Sequence, residues 1–597
     1  MLGILAVLGT LALLQGAWRP QACTAQVTPI TAEAAPTSVA VAHFAKAIGY
    51  ESGGDRDGSV LLANLKGYGN PDMVVTTCCT LGVLINKGDG TFASAVVYGP
   101  GGYGIGSFVI ADVNGDGVPD LILANVCQSS GDCNGGYNPG GVSILLGNGY
   151  GTFQTAVTYS SGGYDANSVA VADVNGDGYA DVVVSNMCLN SSCESGGVSV
   201  LLGNGNGTFQ APLSYSSGGV FAYSLTIVEL TSNGHLDLML ANQCESNSTC
   251  AQGEFDPSGL AVLLGNGDGT FQEAVSYSSG GYGHVSFVPQ DVNHDGIPDV
   301  VAADECQDSS CETGVVSVFL GDGKGAFQGP VEYSSAGFSA SSIVIRDVNG
   351  DDKEDLIVTN TCERRACDYG PVEGEVSVFF GNGDGTFQTP VGYYSGAYVT
   401  SSVSIGDVNG DGYPDLVLSN DCPSHINCTN GVVTILLGSG NGTFASPIRY
   451  GSGGAFPQTV TIEDVNGDGK PDLITANICT TGTPQGSCTN SSGDVGVLLN
   501  VLTYTTTTSL TSSSNPALTN QPITFSASII SNPSIANGEV VTFYNGAKEI
   551  GTGATINGVA AFTTSFPTAA TYTIKASYAG DTFHKVSSGV IKQVVNP

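Results

Sequence analysis

The stretch DVNGDGVPD at 112–120 decides how the rest of the chain is read. It returns as DVNGDGYAD at 173–181, DVNHDGIPD at 291–299, DVNGDDKED at 347–355, DVNGDGYPD at 407–415 and DVNGDGKPD at 464–472. Every copy sets oxygen-bearing side chains at positions 1, 3, 5 and 9, and most carry Gly at 6. That is the composition of a tight loop around a hard cation that takes about six to eight oxygens. Calcium is the cofactor these residues point to, at six sites. The side-chain ligands are expected to be Asp112, Asn114, Asp116 and Asp120; Asp173, Asn175, Asp177 and Asp181; Asp291, Asn293, Asp295 and Asp299; Asp347, Asn349, Asp351 and Asp355; Asp407, Asn409, Asp411 and Asp415; and Asp464, Asn466, Asp468 and Asp472. An EF-hand loop would place its last acid at position 12 and continue into a helix. Here the last acid leads into apolar residues such as Leu121, Ile122 and Leu123, so the loop joins two strands. The alternative is that Asp and Asn only make turns through side-chain bonds to nearby backbone.

Two further copies have decayed. ELTSNGHLD at 229–237 still offers oxygens from Glu229, Thr231, Asn233 and Asp237, whereas NLKGYGNPD at 64–72 puts Lys66 and Tyr68 in ligand positions and is not expected to hold metal. With these included the period is about 57 residues, the signature of a solenoid, propeller or array. Each unit carries four short strand-like runs, as in SVAVADV at 168, DVVVSN at 181, GVSVLLGN at 197 and FQAPLSY at 209, which is the pattern of a propeller blade. The last unit lacks its fourth run. FAKAIGYESGG at 44–54 aligns with FQTAVTYSSGG at 153–163, so an N-terminal strand is expected to complete the last blade and leave no open edge. The expected fold is all-β: an eight-bladed propeller, or a seven-bladed one if the degenerate first unit is not a blade.

The acidic cassettes, with the GNGDGTFQ-like turns that follow them, resemble the FG-GAP or VCBS repeats of integrin-like propellers over residues 38–502. The resemblance implies a backbone carbonyl ligand at position 7, here Val118, Tyr179, Ile297, Lys353, Tyr413 and Lys470. Asp352 departs from the pattern by standing where Gly is usual, at a residue type that visits left-handed backbone more readily than most. From 503 to 597 the acidic cassettes and cysteines stop, and alternating runs such as ITFSASII, VVTFYNG and YTIKASYAG read as an antiparallel sandwich. GEVVTFYNGAKEIGTG at 538–553 and YTIKASYAGDTFHKVSSGV at 572–590 resemble a bacterial Ig-like domain.

Residues 1–25 read as a signal peptide, with an apolar run and small residues near Ala25, and 26–37 as a linker. The expected setting is secreted, extracellular or at the cell surface, with no membrane insertion and a monomeric state. Beyond Cys23 the cysteines fall one pair per repeat: Cys78/Cys79, Cys127/Cys133, Cys188/Cys193, Cys244/Cys250, Cys306/Cys311, Cys362/Cys367, Cys422/Cys428 and Cys479/Cys488. In a secreted chain such spacing reads as a disulfide framework clipping the loop between the second and third strands. Zinc is a weak rival, without CxxC spacing or a His cluster.

A formal charge of −37 with 16 Lys and Arg argues against nucleic acid and anionic membranes as partners. The repeated motif YSSGGY and its variants would set Tyr103, Tyr164, Tyr282, Phe338 and Tyr398 on the rim that carries the disulfide loops, as ligand contacts or as wedges between blades. No catalytic residues stand out: His43, His235, His284, His294, His425 and His584 lie in unrelated contexts, without HExxH or a nucleophile elbow. The expected function is a calcium-binding adhesion or binding module for an extracellular protein or glycan. A lectin-like glycan receptor and a polysaccharide-degrading hydrolase or lyase are the alternatives.

Overall fold

The computed structural model describes residues 42–597 apart from 56–57, 130, 132, 134–135, 247–256, 309, 363–373, 425, 485, 490–491 and 532–533. The expected signal peptide and linker, and Cys250, Cys367 and His425, lie outside the described residues. All named secondary structure is β. Each repeat forms a four-stranded antiparallel group in simple meander order, as in Tyr398–Gly406, Asp415–Cys422, Val432–Leu436 and Ile448–Gly451. The second and third strands are buried at nearly every position, on both faces, because the sheets stack face to face. The outermost strand is half exposed and correspondingly mixed.

The connection between repeats differs from the expected loop at two places. Val157–Ala172 and Val275–Gln290 are single 16-residue strands that end one group and begin the next, giving two seven-stranded sheets. Gly162 and Gly280, at φ of 79° and 92°, turn the chain there without ending the strand.

The two ends of the array meet. Ile48–Asp55 lies antiparallel to Ser492–Leu498, with Ile48 opposite Val497 and Tyr50 opposite Val495, and Phe44 bridges Asn500. The N-terminal segment thus supplies the fourth strand of the last group.

Neighbouring groups are wedged by a tyrosine and a phenylalanine that recur in register. Tyr98 meets Phe153, Tyr215 meets Phe271 and Tyr277 meets Phe327 edge-on, and each tyrosine hydroxyl accepts the phenylalanine N–H at 3.3 Å. Such edge-to-face pairs add about 0.5–1.5 kcal/mol beyond their buried area. Tyr50 and Phe92 make the same contact across the junction of last and first repeats, with ring centroids 5.6 Å apart.

That junction, and the one between the last two repeats, each have a further fastening. Where other repeats end their third strand in glycine, such as Gly147, Gly203 or Gly265, the first and last carry Asn86 and Asn500. Asn86 donates to the Val465 carbonyl at 2.7 Å and Asn500 to the Val408 carbonyl at 2.8 Å, each reaching a cassette of the preceding repeat. Both side chains are buried, where a satisfied amide bond is worth more than at the surface.

Residues from Thr507 onward form one continuous eight-stranded sheet around Phe525, Phe543, Ile574 and Tyr578, a core separate from those of the repeats.

Candidate metal centre and the two rims

Each intact cassette spans the link between first and second strands and is held by its own acids. Asp112 Oδ1 accepts the Gly115 N–H at 2.8 Å, and its Oδ2 accepts Gly117 N–H at 2.7 Å. Asn114 Oδ1 accepts the Asp116 N–H, Asn114 Nδ2 donates to Asp116 Oδ2 at 3.1 Å, and Asp116 Oδ1 accepts Val118 N–H. Position 9 ties the cassette to the sheet: Asp120 takes Val113 N–H on one oxygen and Gly147 N–H on the other. The same bonds recur around Asp173, Asp407 and Asp464. At Asp352 the backbone is left-handed, with φ of 61°, as its place at position 6 requires.

These loops concentrate negative charge. Burial, then the charges of Asp116 and Asp112, raise the Asp120 carboxyl above the ordinary carboxylate range, and burial with the same neighbour pattern lifts Asp355 to about 6, Asp472 to about 7 and Asp415 to about 8. The donor chemistry fits a hard divalent cation, being all oxygen with no histidine or thiol. Among the described residues no group of three or more His, Cys, Asp or Glu side chains is already gathered as a ligand cage. Holding an ion would therefore exchange some carboxylate–amide bonds for coordination.

The first repeat carries its own counter-charge. Lys66 Nζ lies 2.8 Å from Asp72 Oδ1 and donates to the Asn86 carbonyl at 2.9 Å, so an ammonium neutralises the position-9 acid from inside the loop. The cassette at 229–237 keeps the fold of the others, with Glu229 accepting Gly234 N–H and Asp237 accepting Leu230 N–H, but Thr231 is bridged to Lys324 of a neighbouring turn. The cassette at 407–415 is covered by the C-terminal domain: Tyr504 Oη donates to the Asn409 carbonyl at 2.9 Å, and the Phe583 ring packs on Gly410 so closely that a Cβ there would come within 2.3 Å.

A family model described as FG-GAP-like repeat matches residues 65–123, 132–184, 249–302, 291–358, 368–418 and 426–475. The chain belongs to the FG-GAP-like repeat family. A second model, bacterial Ig-like domain (group 3), matches 510–596 of this FG-GAP-like protein. No curated protein matches the chain. Among solved structures it is similar to an Agrocybe aegerita lectin described as recognising non-reducing terminal N-acetylglucosamine, at 17% identity, 68% of this chain, 90% of that chain and a TM-score of 0.34. The NanB sialidase of Streptococcus pneumoniae matches at 9% identity, 76% of this chain, 94% of that one and a TM-score of 0.31. A Lactobacillus plantarum protein matches at 14%, 66%, 96% and 0.35 respectively. These overlaps are too loose to carry a function across.

On the opposite rim of the FG-GAP-like repeats, disulfides join Cys127–Cys133, Cys188–Cys193, Cys306–Cys311, Cys422–Cys428 and Cys479–Cys488. Cys244 and Cys362 are also disulfide-bonded. The exception is a correction: Cys78 and Cys79 are thiols, their sulfurs 3.1 Å apart. Adjacent Cα atoms stand about 3.8 Å apart across a trans peptide, below the usual span of a disulfide.

The expected aromatics do pair with this rim, since Tyr103, Tyr282, Phe338 and Tyr398 lie opposite Cys127, Cys306, Cys362 and Cys422. Only Tyr103 is exposed, at 43%. Tyr164 and Tyr398 pack on cysteine-rich clusters, so much of their surface is spent on the fold. Tyr137 and Tyr394 are also exposed on the disulfide side, but the most open tyrosines are on the cassettes and adjoining turns: Tyr68 at 68% and Tyr150 at 78%, with Tyr179 and Tyr413 also exposed. Their signal in the sequence was an aromatic inside an otherwise polar, glycine-rich loop.

One buried acid breaks the repeat. Asn125, Asn186, Asn242, Asn360, Asn420 and Asn477 occupy one position on the second strands, and Asp304 stands there in the remaining fully paired repeat. Asp304 accepts hydrogen bonds from Ser258 and Ser279, its Oδ2 has no partner among the described residues, and burial pushes its carboxyl up to about 7. Because the folded value lies above the unfolded one, this group favours folding at low pH and costs stability as pH rises from about 4 through 7. Asp304→Asn is expected to remove a dependence of up to about 1.4 kcal/mol per pH unit in that window and to raise the melting temperature at pH 8. Thermal melts of both proteins across pH 4–8 check this; parallel pH curves would contradict it.

Proposed function

We propose that this chain is a secreted, calcium-stabilised propeller of eight four-stranded blades that works as a binding or adhesion module, with the Ig-like domain as its C-terminal partner domain. The observation that carries the reading is the recurrence of an oxygen-only loop in six registers, each tied to its sheet through the position-9 acid. The ligands named above, including the carbonyls at position 7, would hold the ions, and the ions supply charge neutralisation of the rim. Disulfide clips support an oxidising, extracellular setting. No helix among the described residues is long and apolar enough to cross a membrane.

The ligand is an extracellular protein or glycan. We place its contact surface on the cassette rim, since Tyr68 and Tyr150 are largely exposed there, and aromatic side chains with a polar tip are favoured at binding surfaces. A glycan array and a panel of extracellular proteins, each probed with and without calcium, identify the ligand class. A polysaccharide turnover screen alongside them tests the hydrolase or lyase reading. Against the ligand found, Tyr68→Ala with Tyr150→Ala is expected to weaken binding at least tenfold, corresponding to about 1.4 kcal/mol or more. Tyr164→Ala with Tyr282→Ala is expected to leave affinity unchanged. The reverse result moves the site to the disulfide rim.

A further inference from the structure

Every other repeat whose loop between second and third strands is described fastens that loop with a disulfide; the first repeat fastens it another way. Between Asp72–Thr76 and Leu81–Leu84 the chain has only Thr77, Cys78, Cys79 and Thr80. Thr77 N–H donates to the Thr80 carbonyl at 2.9 Å, and the two threonine hydroxyls lie 2.8 Å apart. The turn is closed by this threonine pair rather than by a sulfur–sulfur bond.

The sulfurs are placed for chemistry instead. Cys78 is exposed and Cys79 half-buried, and Cys78 Sγ donates to Cys79 Sγ at 3.1 Å, near enough for one to attack a mixed disulfide on the other. The exposed Tyr103 lies near enough for the Cys79 sulfur to raise its phenol above the ordinary range. Cys78 N–H donates to the Asp55 carbonyl at 3.0 Å, which sets the pair at the junction between the first repeat and the N-terminal strand of the last.

We propose that Cys78 and Cys79 form a reversible redox pair that exchanges electrons with low-molecular-weight disulfides and thiols of the glutathione class. In the oxidising direction the Cys78 thiolate attacks one sulfur of glutathione disulfide. The glutathione S–S bond breaks, one glutathione leaves as thiolate and takes up a proton, and a mixed disulfide remains on Cys78. Cys79 then loses its proton and attacks Cys78 Sγ, expelling the second glutathione. The pair has lost two electrons and two protons, and glutathione disulfide has become two thiols. Closing a bond between adjacent residues forces an eight-membered ring on the intervening peptide, and strained disulfides are the more readily reduced. The pair therefore turns over at a poise where the longer clips stay closed.

The test uses the full chain equilibrated in glutathione buffers of graded thiol-to-disulfide ratio, with alkylation trapping and peptide mass spectrometry. The expected result is that the 78/79 peptide passes from dialkylated to disulfide within the series, while the Cys127–Cys133 and Cys306–Cys311 peptides stay bonded throughout. Phenylarsine oxide, which bridges neighbouring thiols, should bind one equivalent at the reducing end through this pair and none at the oxidising end, and Cys78→Ser should abolish that binding without lowering the melting temperature. Alkylation of both thiols at every ratio, or reduction of this pair only together with the clips, would overturn the proposal. A lowered melting temperature in Cys78→Ser would show the sulfurs to be structural and overturn it as well.

Discussion

Chelating calcium is expected to lower the melting temperature of the repeat region more than any other single treatment. Each intact cassette gathers at least three aspartates within nine residues, and four of the six contain no lysine or arginine. A ligand that binds only the folded state stabilises it by about 2.7 kcal/mol per site when present at about a hundred times its dissociation constant, and there are six such cassettes. Calorimetry in calcium and in EDTA measures the difference. The C-terminal domain has its own core around Phe525 and Phe543 and no cassette, so its transition should barely move and serves as an internal control. Coincident repeat-region transitions in the two buffers would contradict the expectation.

The second large effect is expected from Phe92→Ala. Phe92 is buried at the junction of first and last repeats against Tyr50, whose hydroxyl accepts its N–H at 3.3 Å. Truncating a buried phenylalanine costs about 3–5 kcal/mol. Phe271→Ala removes the equivalent ring within the array, against Tyr215, and should cost a similar amount. The two differ in what they release. Only Phe92→Ala frees the N-terminal strand, so hydrogen exchange at Ile48–Asp55 should accelerate in that variant and not in Phe271→Ala. Equal protection of this strand in both would show that the junction is closed by backbone pairing and the Asn86 bond alone.

The architecture is legible in the sequence because its period is set by chemistry that tolerates little change. An acid at position 9 must accept Val113 N–H and Gly147 N–H at once, so the cassette repeats nearly letter for letter and marks every link between first and second strands. The missing fourth strand of the last unit is legible for a related reason, since the Phe and Tyr of 44–54 keep the spacing of the other outer strands. What the sequence hides are partnerships across repeats. Tyr277 and Phe327 stand 50 residues apart, and nothing local says that the first YSS tyrosine, rather than the aromatic after the glycines, is the wedge. Lys66 reads as a lost ligand; only the folded loop turns it into the counter-charge of Asp72. Asn86 and Asn500 look like departures from glycine until the neighbouring repeat brings a carbonyl within reach. The break expected at YSSGGY fails at 157–172 and 275–290 because glycine can turn a strand without ending its hydrogen bonding.

The most direct test of the account is to count ions on the purified chain by equilibrium dialysis against labelled calcium, for the parent protein and for Asp116→Ala, Asp177→Ala and Lys66→Ala. Six calcium ions per chain, falling by one with each aspartate replaced and unchanged with Lys66→Ala, is the predicted result. No saturable binding, or a stoichiometry indifferent to Asp116 and Asp177, would contradict it.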